Sequence, residues 1–484
     1  MAVFYNPGEQ KIRPGVYQRH VNTDFNTQVN TSDGFCAIPL RATWGPLGKV
    51  VKNNNIINLE QTYGTGTYDG STYTVPAAEA MFRGGAQAVY TYRLGTGGAK
   101  GTKVIVTGLT AQAKHVGTLP IAVAVQNKVG YTGVKVLQVY ANNTQVESFE
   151  FVANSTTEGA NVIAAAANSN YIDLIPAIDP ETELPTPPTT VPILEVASGS
   201  LAGGQNPTVT NTDYSNAFSA FETYYYNTIA LDVNDDTNLT LSLLLQSYLD
   251  NAYKYGKLGI AVVGEPTTVA FEVRASHAQA FNDAKIVYLG GGWMNGTDSM
   301  DGVMAICYTA GVIASTPSNL GITHSVITGA TDLCESLTYS QYEDAIQSGM
   351  LMVSMAPDGS IWYDSGIDTL TSPDEATQDD GWKKIRRVKV RFELINRLDL
   401  ALSPKVGRVS AGSDGISDII QAGQRVLNEM ANNEGKLQPG AKFLEDQDYP
   451  ATTDSAWFII QADDIDSLEK IYLQYQFRYS DNNA

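Results

Sequence analysis

The spacing of apolar residues changes along this chain, and each change marks a different kind of element. The first 35 residues are polar, contain Pro7, Pro14 and Gly15 and show no helical period, which predicts an extended arm. Short apolar runs follow, then a helical pattern over Ala77–Gly84 and a strand pattern in "AVYTYRL" (Ala88–Leu94). "GTGGAKGTK" reads as a flexible joint. From about 102 to 210 the runs "KVIVTGL", "LPIAVAVQNKV", "GVKVLQVYANN" and "TQVESFEFVAN" predict a separate β domain, with one helix near Gly159–Ser169. It closes on the linker-like "DPETELPTPPTTVP" and "SGSLAGGQNPTVTN".

Strand and helix signals alternate from about 213 to 370. "YYNTIALDV", "KLGIAVVG" and "AKIVYLGGG" read as strands. "TLSLLLQSYLDNAYKYG", "VAFEVRASHAQAFN", "SMDGVMAICYTAGVIA" and "TYSQYEDAIQSG" read as helices, and "MLMVSMAPDGSIWYDS" as a hairpin turning at Asp358-Gly359. Such alternation implies a mostly parallel sheet covered by helices on both faces. An acidic loop, "SPDEATQDDG", then precedes "WKKIRRVKVRFELINRL". An amphipathic helix follows, with Ile416, Ile419, Ile420, Val426 and Leu427 as its stripe, Ser413 or Asp414 as its cap and Gly435 at its end. The terminal "EKIYLQYQFRYS" alternates with period two and is rich in aromatic residues. It reads as a strand, which must pair either inside its own fold or with another molecule.

Composition narrows the function. The chain has 484 residues and a formal charge of -20, which disfavours nucleic acid as a general partner. Cys36, Cys307 and Cys334 are unclustered and read as buried thiols of a reducing compartment. No basic-then-apolar leader opens the chain and no run of about 18 apolar residues occurs, so synthesis and folding in cytoplasm without a membrane span are expected.

Candidate chemistry is sparse. An Asp–His–Ser order of subtilisin type can be drawn through Asp232, His277 and Ser354, the last in "VSMAP". Ser354 lies in a period-two strand rather than at a helix N-terminus, and His277 lies in mid-helix without flanking glycines, so an ordinary strand serine and surface histidine are the better reading. Asp232, Asp235 and Asp236 in "DVNDD" suit a cation less well than a helix cap. "LGGGWMNG" lacks dinucleotide spacing, no phosphate-loop motif is present, and His20, His115, His277 and His324 have no ligand spacing. Lys383, Lys384, Arg386, Arg387, Lys389 and Arg391 put six cations into nine residues. They form either a solvated face balanced by the acidic loop before it or a basic surface for an acidic partner.

Several segments together resemble a known family. "RPGVYQRHVN" (Arg13–Asn22) resembles the entry segment of contractile-tail sheath proteins, and "AEAMFRGGAQAVYTYRLGTG" (Ala78–Gly97) their helix-to-strand segment. "GSIWYDSGIDTLTS" (Gly359–Ser372) is similar to their Gly-Ile-Asn-Thr-Leu-Thr segment, with Asp368 where Asn is usual, and "DSLEKIYLQYQFRYS" (Asp466–Ser480) to their terminal strand. "RFELINRLDLALSPKVGRVSAG" departs most from the family pattern.

The resemblance implies an α/β plus β multidomain chain. It comprises an N-terminal arm (1–25), a first part of the core (26–100), an inserted outward-facing β domain (101–212), a doubly wound subtilisin-like α/β domain without proteolysis (213–370), a tube-facing α+β C-terminal domain (371–468) and a C-terminal strand arm (469–484). It implies a non-enzymatic subunit that stacks as hexameric rings around an inner tube and contracts to drive that tube through a cell envelope. A headless bacteriocin or injection-system sheath is the alternative within this class; a hydrolase or a surface adhesin would be a different class. The expected partners are copies of itself, the tail tube protein, and baseplate and tail terminator proteins, with no direct nucleic acid, membrane, metal or cofactor. The expected place is the virion tail, assembled in the bacterial host cytoplasm. By this resemblance Val16, Tyr17, Glu469, Lys470, Ile471, Tyr472, Leu473, Tyr475 and Phe477 serve the intersubunit arms. Lys383, Lys384, Arg386, Arg387, Lys389, Arg391, Arg408 and Arg425, with Lys405 beside them, form a tube-facing basic patch.

Overall fold

The computed structural model describes residues 33–65, 75–196, 199–235, 239–374, 376–449, 451–452 and 454–477, together with two short strands, Val3–Phe4 and Tyr17–Gln18, which pair in parallel. The rest of the predicted N-terminal arm, Val16 included, lies outside the described residues, as does Asp236.

A seven-stranded sheet organises the chain. Its strands are β1 (Phe35–Leu40), β2 (Val50–Asn53), β3 (Ala88–Arg93), β4 (Thr228–Ala230), β5 (Ile260–Gly264), β6 (Ile286–Leu289) and β7 (Met350–Leu351), in the order β7-β6-β5-β4-β1-β3-β2. All neighbours run parallel except β2, which pairs antiparallel with β3. The strands are apolar on both faces because helices cover both. On one side Cys36, Ile38, Val262, Val287 and Leu289 meet the helices Val75–Arg83 and Val303–Ser315. On the other, Ala37, Ala261, Val263, Ile286 and Tyr288 meet Asn211–Phe221, Thr240–Lys254 and Phe271–Phe281. The predicted hairpin is present over Val353–Met355 and Ile361–Tyr363, with Gly359 at φ 85° in its turn.

The insert holds two further antiparallel sheets. Ile121–Asn127, Val134–Ala141 and Thr144–Val152 form one; Thr102–Val106, Leu109–Ala113, Ile172–Ile178 and Pro185–Thr186 form the other. Asn142 and Asn143, both at positive φ, make the two-residue turn between Ala141 and Thr144 that a right-twisted hairpin favours. Trp44 from the body enters the insert's core, stacking on Tyr171 with 6.0 Å between ring centres. The expected flexible joint at "GTGGAKGTK" is instead half of a paired stalk. Thr96 bridges Thr208, Ala99 bridges Gln205 and Thr102 bridges Ala202. The glycines at positive φ let the chain pass closely, and its backbone groups are satisfied by the returning strand.

In the C-terminal region the helix Ile385–Leu402 packs beside Ser413–Asn428, and a two-stranded sheet, Lys442–Glu445 with Phe458–Gln461, lies beyond. The basic segment is thus a helix. Gly412, rather than Ser413 or Asp414, is the cap residue of the second helix, and no side chain bonds its free amides there. Phe443 lies over Gly423, where any Cβ would clash with its ring.

Asp368, at the end of the hairpin segment, is buried. Its amide donates to the Lys383 carbonyl at 3.2 Å and Oδ1 accepts from the Leu370 amide at 3.0 Å, while Oδ2 has no partner among the described residues. Burial pushes its carboxyl well above the usual range, and the nearby Asp283 carboxylate adds to this, against Lys285 and Lys383. A raised carboxyl makes the folded state bind a proton the unfolded chain releases above about pH 4, so stability falls as pH rises from there. Asp368→Asn is expected to flatten that fall and to stabilise the chain at pH 7 by about 1–3 kcal/mol, the usual cost of an unsatisfied buried polar group. Urea unfolding of both chains between pH 4 and 8 measures it; parallel curves would mean that Asp368 titrates normally.

Candidate assembly interface

The residues that suggested a hydrolase are held apart, each by its own partners. Asp232 accepts the Arg41 amide at 2.8 Å, Arg41 Nε at 3.2 Å and the Tyr214 hydroxyl at 2.6 Å. His277 Nδ1 pairs with Glu265 at 2.7 Å. Ser354 donates to Asp364 and accepts from Trp362 Nε1, both at 2.8 Å. Arg41 directly follows β1 and Asp232 closely follows β4, so their ion pair sits where the strand order reverses. That is the crevice in which doubly wound sheets ordinarily hold a ligand, and here buried side chains fill it. Asp235 caps the next helix, accepting the amides of Leu241 and Ser242. No acidic, histidine and cysteine group among the described residues is arranged to hold a metal ion. Cys36 and Cys307 are buried thiols, Cys36 pushed up to about 12 by burial, and Cys334 is half-buried.

The basic run turns most of its charge inward, which corrects the picture of an exposed patch. Lys389 is buried and donates to the carbonyls of Ile313, at 2.6 Å, and Thr316, at the C-terminal end of the Val303–Ser315 helix, where a cation is favoured. Burial holds its ammonium down at about 8, against the carboxylates of Asp33 and Glu393. Arg386, 7 % exposed, donates to the carbonyls of Asn319 and Ile465. Both Arg387 and Arg391 hold Asp464, Arg387 through two nitrogens, with Arg391 also on Asp379 and above the Trp382 ring. Lys384 Nζ lies 2.8 Å from Asp466 and 2.9 Å from Glu469. Lys383 pairs with exposed Asp380, Lys405 with Asp418, and Arg408 and Arg425 are exposed.

The acidic partners, Asp464 and Asp466, escaped the sequence reading, although "QADDIDSLEK" carries the matching charge run. A second network was missed altogether. Buried Glu393 accepts from Lys436 Nζ at 2.7 and 2.9 Å, from Arg397 and from the Ser318 hydroxyl, while Glu434 holds Arg397 and Lys436.

The terminal segment is the other unusual surface. Residues 466–477 form no strand ladder among the described residues. Ile471 is 70 % exposed, Tyr472 88 %, Leu473 69 %, Tyr475 72 % and Phe477 92 %. The only side-chain anchors described for it, Asp466 and Glu469, lie at its start, where Glu469 also accepts from the Thr323 hydroxyl at 3.1 Å. A run of large apolar groups in water, with its backbone unpaired, has a strong drive to associate. The Lys442–Glu445 and Phe458–Gln461 sheet likewise exposes Leu444, Ile459 and Ile460. Gln424 holds the outer edge of its first strand, through the Phe443 amide at 2.9 Å and the Ala441 carbonyl at 2.8 Å, while the outer edge of Phe458–Gln461 pairs with no further strand among the described residues.

Comparison with known proteins gives these surfaces a context. Residues 208–363 match the phage tail sheath protein central domain. The chain is 24 % identical to the uncharacterised protein YqbK of Bacillus subtilis (strain 168), over 98 % of this chain and 99 % of that one. It is 23 % identical to the phage-like element PBSX protein XkdK of the same organism, over 85 % and 84 %. The fold matches the sheath tail protein of Desulfitobacterium hafniense with a TM-score of 0.69 at 20 % identity, covering 94 % of this chain and 99 % of that one. It matches the sheath tail protein Lin1278 of Listeria innocua with 0.66 at 18 %, covering 90 % and 96 %. The contracted helical sheath of the anti-feeding prophage shares the fold at 0.54 and 10 % identity, covering 97 % and 99 %. The three solved structures are of sheath proteins. The chain thus carries a match to the sheath central domain over residues 208–363 and has the fold of the sheath tail proteins over nearly its whole length.

Proposed function

We propose that this chain is the sheath subunit of a contractile particle. Copies stack as hexameric rings around an inner tube, and contraction drives that tube through a target envelope. The observation that carries this is the exposed, unpaired apolar segment at 470–477, a surface that calls for a neighbouring copy. Backbone hydrogen bonds by strand addition join it to that copy, and the outer edge of Phe458–Gln461 is the receiving site. Such links survive rigid-body rotation of the subunits, so a metastable extended sheath shortens without falling apart. The inserted β domain faces outward and the 371–468 region faces the tube. The exposed cations Arg408 and Arg425, with half-buried Lys383 drawn from Asp380, then meet an acidic tube through screened pairs worth about 0–1 kcal/mol each, weak enough to release together. The subtilisin-like description of the central domain, the baseplate and terminator partners, and assembly in the bacterial host cytoplasm belong to the same reading. The sheath of a headless injection system shares this mechanism, and neighbouring capsid genes separate the two.

Negative-stain electron microscopy of the purified chain, with and without tube protein, tests the reading. The full chain is expected to form hollow tubes, and a variant lacking residues 469–484 only dispersed particles. Substituting Lys383, Arg408 and Arg425 by Ala is expected to leave tubes intact but to weaken their retention of tube protein. Tubes from the truncated variant would sink the arm, and dispersed full-length chain even with tube protein would sink the sheath.

A further inference from the structure

The basic helix and the acidic segment that follows the last strand meet along one line. Asp464, its side chain 7 % exposed, is gripped by Arg387 and Arg391; Arg386 holds the next carbonyl, that of Ile465; Lys384 spans Asp466 and Glu469. Burial by itself would raise the Asp464 carboxyl, but the hydrogen bonds and charges of the two arginines outweigh it and hold it below the usual range. On the other side, the Ile465 amide donates to the Lys436 carbonyl at 3.0 Å and the Gln438 amide to the Asp463 carbonyl at 2.7 Å. Upstream, Phe458–Gln461 is paired in its sheet. Downstream of Glu469, residues 470–477 have no hydrogen bond among the described residues. Every hydrogen-bonded tether of the terminal segment among the described residues therefore lies within 463–469, and most of its side-chain tethers are ionic.

We propose that residues 464–469 and the cationic face of the 385–402 helix form an electrostatic latch. It sets the direction in which the terminal segment leaves the body and is the joint at which that segment swings. Three properties make this stretch a latch rather than part of the core. Its side chains are charged and partly wet, so opening exposes little apolar surface. Its grip is bidentate at Asp464, which fixes an angle as well as a distance. Its outer pairs, through Lys384, weaken with salt sooner than the buried pair at Asp464. The latch thus opens from the Glu469 end toward Asp464, and Lys384, released from Asp466 and Glu469, becomes available to another acidic surface. The latch itself is independent of what the segment binds; its use in joining subunits rests on the sheath reading above.

Hydrogen–deuterium exchange on the full, unassembled chain tests it. In Arg387→Gln the Ile465 amide, which donates to the Lys436 carbonyl, is expected to exchange about tenfold faster, while 385–402 and 442–461 keep their rates. Lys384→Gln is expected to speed the Ser467 amide, held on Asp466 Oδ1, and to leave Ile465 unchanged. The exchanged pair, Arg387→Asp with Asp464→Arg, is expected to restore protection, which a loss of packing would not allow. Unchanged exchange at Ile465 in Arg387→Gln and at Ser467 in Lys384→Gln would overturn the latch, as would equal acceleration of the 385–402 helix. Tube formation by the truncated chain bears on the arm alone, so the two ideas fail separately.

Discussion

Replacing Glu393 by Ala is expected to lower the unfolding free energy by about 3–5 kcal/mol, the cost of breaking a buried ion pair from one side. Glu393 is 7 % exposed and joins three distant parts of the chain: its own helix, the loop at Ser318 and the turn at Lys436. Lys436 and Arg397 would be left sharing Glu434, with Lys389 close by, so net positive charge remains in a dry region. The loss arises from that stranded charge and not from a large net attraction in the native network. Glu393→Met combined with Lys436→Met is therefore expected to recover most of the stability, because Arg397 and Glu434 stay paired and the new side chains fill the space. Urea midpoints at unchanged slope report both. A Glu393→Ala chain within about 1 kcal/mol of the native one would mean that water already reaches this cluster.

The second large effect is expected at Gly311, from Gly311→Leu above all. The helices Val75–Arg83 and Val303–Ser315 cross at Gly84 and Gly311, with backbone against backbone. A Cβ on Gly311 would clash with the Met81 carbonyl, and one on Gly84 with the Tyr308 carbonyl. Neither glycine is needed for a special φ at this crossing; both are needed for closeness. Gly311→Ala is expected to cost about 1–3 kcal/mol, the range for overpacking a tight core. Gly311→Leu is expected to yield little soluble folded chain, because the Val303–Ser315 helix is buried nearly all round and has nowhere to move. Thermal unfolding of the Ala variant and soluble yield of the Leu variant measure this; native behaviour of Gly311→Leu would refute the tight crossing.

Much of the fold could be read from local pattern. The parallel strands "IAVV" and "IVYL", apolar at every position, and the helices between them follow from period and punctuation. The hairpin at Asp358-Gly359 was readable because a turn residue at positive φ sits between alternating runs. The stalk was not, since "GTGGAKGTK" has no side-chain pattern and gains its order from backbone bonds to distant segments, 202–208 and 113–117. Nor was the fate of the basic run. Six cations in a row suggest a surface, whereas Lys389 caps a helix end and Arg387 binds an aspartate 77 residues away.

By itself, the sequence determined the periods and their breaks: where strands and helices lie, that both faces of the central sheet are covered, and that the chain ends in an apolar, period-two segment. Those properties are carried by residues close together, through backbone sterics and the burial of alternate or every-third-to-fourth side chains. Only the tertiary structure decided the partners: that Asp232 fills the switch point with Arg41, that Glu393 gathers Lys436 and Arg397, and that Asp464 holds the helix beneath the free terminal segment. Charge pairing acts at a few ångströms in space with no fixed spacing along the chain, so its geometry exists only once the elements have packed.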